Sequence, residues 1–223
     1  MTSHSSTYNC DVVGDNPYHS VWGKPVRKSA ELFAILSLLS QQGTLSFWTV
    51  WEKRAAYEKA FKGLNMQQVA RMTDKKVEKI LHDPGNSVIH HRGKLFALRD
   101  NARVFLQIEH GYPGGLSGFL WSFVPKGRPV CRGLEQRNRL KGSIWTLEGG
   151  SCVSDALAKE MRSLGVSHIG STLFQAFLLQ VGILNGDHPD CCKNLQRCCD
   201  RPPTNTAVTV KQHLAVRKSF LKK

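Results

Sequence analysis

No run of roughly 18 or more apolar residues occurs in the 223-residue chain, so a membrane-spanning helix is excluded. Residues 1–9 are polar and lack the hydrophobic core of a secretory signal; an intracellular protein is expected, cytoplasmic in a bacterium or nuclear in a eukaryote. Acid is scarce as well. The 17 Asp+Glu are set against 31 Lys+Arg, a formal net charge of +14, which suits a polyanionic partner without separating nucleic acid from anionic lipid. Strand signals are almost missing and no internal repeat occurs, which excludes β-sandwiches, propellers and solenoids. Cysteines number 7, an odd count outside a secretory context, with Cys191, Cys192, Cys198 and Cys199 close together. Metal binding or free thiols fit this better than a disulfide framework. With 41% hydrophobic residues the chain can bury one substantial core, or two lobes sharing one.

What is present reads as helix. Ser29 is placed to cap a helix carrying Leu32, Phe33, Leu36 and Leu39 that Gly43 breaks. Ser46 is placed to cap a second, with Phe47, Val50, Trp51, Ala55 and Phe61, ending near Gly63. Shorter helices are predicted over residues 66–72 and 73–81, closed by Asp83-Pro84-Gly85-Asn86. A long helix over about residues 93–110 presents Leu95, Leu98, Ala102, Phe105 and Leu106, with Lys94, Arg99 and Arg103 outside that face. Residues 116–124 form another apolar helix, residues 125–150 read as a loop rich in Gly and basic residues, and residues 201–223 as a basic tail.

Residues 154–192 carry the most specific local pattern. Ser154 and Asp155 supply a cap and a first-turn acid for a helix with Leu157, Met161 and Leu164, which Gly165 ends. After a short turn bounded by Gly165 and Gly170, Ser171 and Thr172 open an apolar helix through Leu173, Phe177, Leu178 and Val181 that stops near Gly182. Such an αα-hairpin is either plain core packing or a DNA-phosphate contact made by the backbone N–H groups of the turn and helix start.

Several short motifs extend this pattern. Tyr18-His19 with Trp22-Gly23, Gln41-Gln42 ahead of Leu45-Ser46, Lys53-Arg54, His91-Arg92-Gly93-Lys94, Asn101-Ala102-Arg103, Trp121-Ser122-Phe123-Val124, Ser154-Asp155-Ala156-Leu157 and Gly170-Ser171-Thr172 follow in order. Their series resembles the type I 3-methyladenine DNA glycosylases of the helix-hairpin-helix glycosylase superfamily, over residues 10–192. The resemblance implies an all-α, helix-hairpin-helix glycosylase-like fold in residues 1–200, two helical lobes about one cleft, with residues 201–223 as a tail. It implies a monomeric enzyme of base excision repair acting on double-stranded DNA with alkylated bases, and no membrane partner. Such an enzyme flips a methylated adenine out of the duplex and hydrolyses its N-glycosidic bond, which the base's positive charge has already weakened. A monofunctional reaction is expected, because no Lys directly follows Gly170.

The resemblance also assigns residues. Tyr18, Trp22 and Phe47, with Trp48 beside it, would wall the base pocket and attract the cationic ring, although Phe47 and Trp48 also suit a core position at a helix start. Gly165, Gly170, Ser171 and Thr172 would hold DNA phosphate. Cys10, His19, His188 and Cys192 match a family zinc site that ties the N-terminal segment to the C-terminal one. Two nitrogens and two sulfurs make a closed tetrahedral set, structural and not hydrolytic. Cys191 is an alternative to Cys192, and Cys198 and Cys199 are rivals or bystanders. Asp187 is a weak candidate for catalytic base, since an Asp after Gly186 more often makes a turn or orients a zinc histidine. Asn185 stands where the wider superfamily uses an Asp that type I enzymes lack.

Departures cluster at the pocket. Leu39 stands where the family places a Glu that accepts from the exocyclic amine of the flipped base; Phe47 replaces a Trp, Val12 an aromatic, and Ser20 and Val21 an acidic pair. A leucine cannot accept a hydrogen bond, and one lost buried partner is worth a few kcal/mol of discrimination. Two alternatives therefore accompany the enzyme: a homologue that binds damage without cutting, and a zinc-stabilised basic protein that meets RNA or an acidic partner.

Overall fold

The computed structural model describes residues 23–124, 130–131 and 152–185. Nine α-helices are present among them: α1 (Ser29–Gln42), α2 (Phe47–Glu52), α3 (Arg54–Ala60), α4 (Met66–Ala70), α5 (Asp74–His82), α6 (Arg92–Gly111), α7 (Gly115–Trp121), α8 (Cys152–Ser163) and α9 (Ser171–Gln180). The predicted helical class is observed. One exception is a parallel pair of two-residue strands, β1 (Val130–Cys131) and β2 (Leu184–Asn185), in the register Val130↔Leu184 and Cys131↔Asn185. Strands this short have no room for the alternation that reveals a strand in sequence, so the reading of residues 125–150 as pure loop is corrected at these two positions. The rest of that loop and the tail lie outside the described residues.

Two helices are buried on every side where it matters. In α1 each residue from Leu36 to Gln41 is buried, and in α9 each from Phe174 to Gln180. Both belong to one cluster of buried apolar side chains that also takes Leu95, Leu98, Phe105 and Ile108 of α6 and Leu116 and Phe119 of α7. Fully burying a Leu or Phe contributes roughly 1.5–3 kcal/mol, so this cluster dominates the favourable side of folding. Phe33 of α1 meets Phe105 of α6 edge to face, ring centroids 6.1 Å apart. Helix α6 packs against α1, α4, α5 and α7 and is the common neighbour.

Local signals set several boundaries. Ser46, Thr73 and Asn65 cap α2, α5 and α4, each accepting the N–H of the residue three positions on. Ser29 is not the expected cap: it is already helical, and its hydroxyl accepts the Ser117 N–H of α7 at 3.2 Å. The segment expected as one helix over residues 46–63 is divided, because Lys53 leaves helical geometry (φ −87°, ψ 3°) and its amine reaches the Ser87 carbonyl at 2.7 Å.

The helical pattern misplaced two basic residues of α6. Arg99 was expected outside the apolar face, yet its side chain is 5% exposed, bonded to Asp100 at 2.9 Å and to Asp74 at the start of α5. Lys94 is half-buried, and its ammonium donates to the carbonyls of Gln41 (2.9 Å) and Gln42 (3.4 Å). It thereby satisfies the carbonyls that end α1 and places a cation at that helix's negative end. Beside it the amide of fully buried Gln41 donates to Ser40 Oγ (2.7 Å) and to the Lys94 carbonyl (3.1 Å).

Buried Tyr57 of α3 completes this network, with its hydroxyl accepting the Ile89 N–H at 3.1 Å and making a long 3.5 Å bond to Gln41 Oε1. Burial pushes the phenol up to about 12 from 10.0, an effect the Ile89 hydrogen bond partly opposes. The contribution of the neutral phenol to stability is complete below pH 10.0, where the unfolded chain starts to ionise, and is lost as pH rises towards 12. Over that window the unfolding free energy, followed by urea titration, should fall about 2 kcal/mol further in the wild type than in Tyr57→Phe. Parallel curves for the two proteins would remove Tyr57 from the alkaline transition.

Candidate nucleic-acid interface

Helices α8 and α9 form the hairpin that the glycine spacing predicts. Helix α8 begins at Cys152, three residues before the expected first helical residue Asp155, so Ser154 lies in its first turn instead of capping it. At the other end Gly165 (φ 98°) takes a backbone conformation that a side chain would strain. Its N–H bonds to the Arg162 carbonyl at 3.0 Å and that of Val166 to Met161 at 2.9 Å, the paired bonds of a Schellman ending.

The turn then runs back along α8, so that α9 starts beside the first turn of α8. Ser171 Oγ lies 3.1 Å from Ser154 Oγ, and the Ser171 hydroxyl donates to the exposed carboxylate of Asp155. Thr172 next to it is exposed. Gly170 has an extended backbone (φ −93°, ψ −179°), with nothing within 4 Å of where a Cβ would sit. The fold therefore does not itself demand glycine at 170, whereas it does at 165. Of the four residues expected at the phosphate contact, Gly165, Gly170, Ser171 and Thr172, all lie on this one turn and helix start.

One side chain holds the turn in place. Asn101 of α6, 2% exposed, accepts the Ser167 N–H and donates to the Ser167 carbonyl, both at 2.9 Å. Both polar groups of a loop peptide are thus satisfied by one amide. His168 follows in the left-handed region (φ 60°), and its ring meets that of His91 edge to face at 6.3 Å. His91 in turn caps α6, its Nδ1 accepting the Lys94 N–H at 3.2 Å. A Cβ on Gly93 would stand 3.3 Å from both imidazoles, so the turn sits directly on the start of α6. In the sequence Asn101 stands only within the motif Asn101-Ala102-Arg103. Its signal was its place two turns after Lys94 and between Leu98 and Phe105, on the face that is otherwise apolar.

The far end of α9 approaches the strap formed by residues 23–28. Gly23 N–H bonds to the Gln180 carbonyl at 2.9 Å and Val26 N–H to that of Val181 at 3.0 Å. Gly182 (φ 66°) lets the strap come this near, since a Cβ there would lie 2.6 Å from the Gly23 oxygen. Trp121 Nε1 donates to the Val26 carbonyl at 2.9 Å, and the Arg27 guanidinium lies 3.6 Å from the Trp121 ring centre.

The base-binding candidates are treated unevenly. Leu39 is 1% exposed and belongs to the apolar core in the last turns of α1. Tyr18, Trp22 and the side chain of Phe47 lie outside the described residues, as do Asp187 and the metal candidates Cys10, His19, His188 and Cys192. Among the described residues no group of three or more His, Cys, Asp and Glu is placed to hold a metal. No helix among them is long and apolar enough to cross a membrane. Trp48 is not the core residue that a helix start suggests: it is 45% exposed.

Removing the Asn101 amide removes both of its hydrogen bonds to the Ser167 backbone, an expected cost of about 2 kcal/mol. Asn101→Ala should lower the urea midpoint accordingly and raise amide exchange at residues 166–168 before that of α9. Unchanged exchange in the turn would show that other contacts hold it.

The sequence model of the methyladenine glycosylase family matches residues 14–194. DNA-3-methyladenine glycosylase 1 of Escherichia coli strain K12 is 33% identical over 189 residues, covering 82% of this chain and 95% of the relative. The crystal structure of a point mutant of 3-methyladenine DNA glycosylase I from Staphylococcus aureus superposes with a TM-score of 0.69 at 33% identity, over 82% of this chain and 95% of that one. A crystal structure of a point mutant of 3-methyladenine DNA glycosylase I in complex with 3-methyladenine gives a TM-score of 0.68 at 31% identity, over 82% of this chain and 95% of that one. The hairpin, the buried α1 and the clamp from α6 all fall inside the matched region, and the chain belongs to the methyladenine glycosylase family.

Proposed function

We propose that the chain is a monofunctional DNA glycosylase of base excision repair that releases alkylated purines from double-stranded DNA, with weakened selectivity for 3-methyladenine. The observation that carries this reading is the match of nearly the whole family sequence and fold; the weakened selectivity rests on the assignment, by resemblance, of Leu39 to the place of a base-reading Glu. Relatives of this kind are named for 3-methyladenine, and one binds it in its solved structure.

In the proposed reaction the turn Gly165–Gly170 and the start of α9 hold a backbone phosphate by their N–H groups, making a helix-hairpin-helix DNA contact that positions the strand without reading sequence. The lesion rotates into a pocket walled by Tyr18, Trp22 and Phe47. Its C1′–N bond breaks with the electron pair returning to the cationic base, which leaves neutral. Water adds to the oxocarbenium carbon and gives up a proton, for which Asp187 is the candidate acceptor. No lyase step follows, because Ser171, and not a lysine amine, comes after Gly170.

Selectivity turns on Leu39. An apolar, enclosed side chain offers no acceptor to the exocyclic amine of adenine, while aromatic walls still favour any flat cation. Weak release of 3-methyladenine and little discrimination against 3-methylguanine are expected when bases freed from alkylated DNA are identified by mass spectrometry. Leu39→Glu should raise 3-methyladenine release, and Leu39→Gln, which adds an acceptor without burying a charge, should raise it less. Selective release by the unmodified chain with no gain in either variant would overturn this view of the pocket. Binding of alkylated duplex with no release at all would favour the damage-binding alternative.

Zinc is proposed as a structural ion on Cys10, His19, His188 and Cys192. Two thiolates and two imidazoles suit a closed tetrahedral site, and the strap contacts of Gly23 with Gln180 bring together the two chain segments that lead to these residues. When bound, the ion would supply cross-linking and no reaction chemistry. Cys10→Ser should release the metal, measured by elemental analysis, and destabilise the fold by several kcal/mol. Full zinc content in that variant would sink the assignment.

A further inference from the structure

From Leu32 to Trp51 the chain carries no charged residue, and within that stretch Gly43, Thr44, Leu45, Ser46 and Trp48 are exposed one after another, with the Phe47 side chain outside the described residues. Among the described residues the exposed large hydrophobic side chains are Leu45 (37%) and Trp48 (45%), and both lie here. An indole left in water at the start of a helix has no packing role to explain it, and the placement is not loose. Leu45 N–H closes a turn onto the Gln42 carbonyl at 2.9 Å, and Lys94 holds the Gln41 and Gln42 carbonyls from α6. Ser46 accepts the Thr49 N–H at 3.1 Å and shares a 2.7 Å hydroxyl bond with Thr49, while fully buried Val50 anchors α2 from beneath.

We propose, on the footing of the DNA-repair role argued above, that Trp48 is a stacking platform for a DNA base left unstacked beside the extruded nucleotide. The chemistry commits to a base and not to a phosphate or an acidic protein. A flat apolar ring on an uncharged projecting turn has nothing to offer an anion, yet the protein as a whole, at +14, draws the duplex in. The nearby charges are already engaged or point elsewhere: Arg54 pairs with Glu58 at 2.7 Å, the Lys53 and half-buried Lys94 ammoniums are bound to neutral carbonyls, and Glu52 is exposed. Base faces are uncharged and flat, and stacking on an aromatic side chain is tolerant of which base is presented. Because the turn is already rigid, little order is lost when the ring is covered.

Two duplexes of one sequence separate the terms, one intact and one carrying a tetrahydrofuran abasic residue that leaves its neighbours unstacked. Trp48→Ala should weaken binding to the abasic duplex about tenfold while changing affinity for the intact duplex less than about twofold. Trp48→Phe should retain most of the difference, and the fluorescence quenching that wild type shows on the abasic duplex should shrink in it. Equal losses on both duplexes, or none on either, overturn the proposal. So does a change of oligomeric state in Trp48→Ala by sedimentation, which would make the turn a contact between copies. Failure of the wild type to bind either duplex would instead remove the DNA reading itself, which a bulky substitution at Gly170 tests separately by weakening both complexes alike.

Discussion

Two stretches of backbone lean on α6: the carbonyls of Gln41 and Gln42 that end α1 and the backbone of Ser167 in the hairpin turn. Helix α6 gives each of them a side-chain hydrogen-bond partner, worth about 0.5–1.5 kcal/mol net per bond. It does so with Lys94 and Asn101, two turns apart on one face, between the leucines and phenylalanine that bury its apolar stripe. The two contacts fix α1 and the α8–α9 hairpin against the same rod. A base pocket at the end of α1 and a phosphate contact at the hairpin would thus be held at a set distance by one helix.

The same arrangement separates what is structural in the family motifs from what is free to act. Within the motif at residues 91–94, His91 caps α6, Gly93 leaves space for the His168 ring, and Lys94 closes α1. Within the hairpin, Gly165 answers to its backbone geometry and Gly182 to the strap, whereas Gly170 is unconstrained by either. A glycine that the fold does not need, at the mouth of a helix N-terminus, is consistent with a backbone that a ligand approaches closely.

The burial of Leu39 has a physical logic of its own. Leu39, enclosed in the last turns of α1, is buried favourably among apolar neighbours, where a carboxylate would be desolvated at a cost. Trp48, exposed on the next helix, adds apolar surface where the projecting turn carries no charge.

Helical class, the order of the elements, the glycine-bounded hairpin and the family were all legible in the chain itself, because periodicity, caps and short motifs are carried by residues a few positions apart. Even there the reading failed where a neighbour overrode local pattern, as when Lys53 left α2 to reach Ser87. Whether Arg99 and Lys94 faced water, that Asn101 clamps Ser167, and that Trp48 is exposed were decided only by tertiary structure. The partners of Asn101 lie 66 residues away and those of Lys94 52 and 53, so no local spacing encodes them. A polar side chain at a buried position announces that it has a partner, but only packing of the distant backbone against it settles which one.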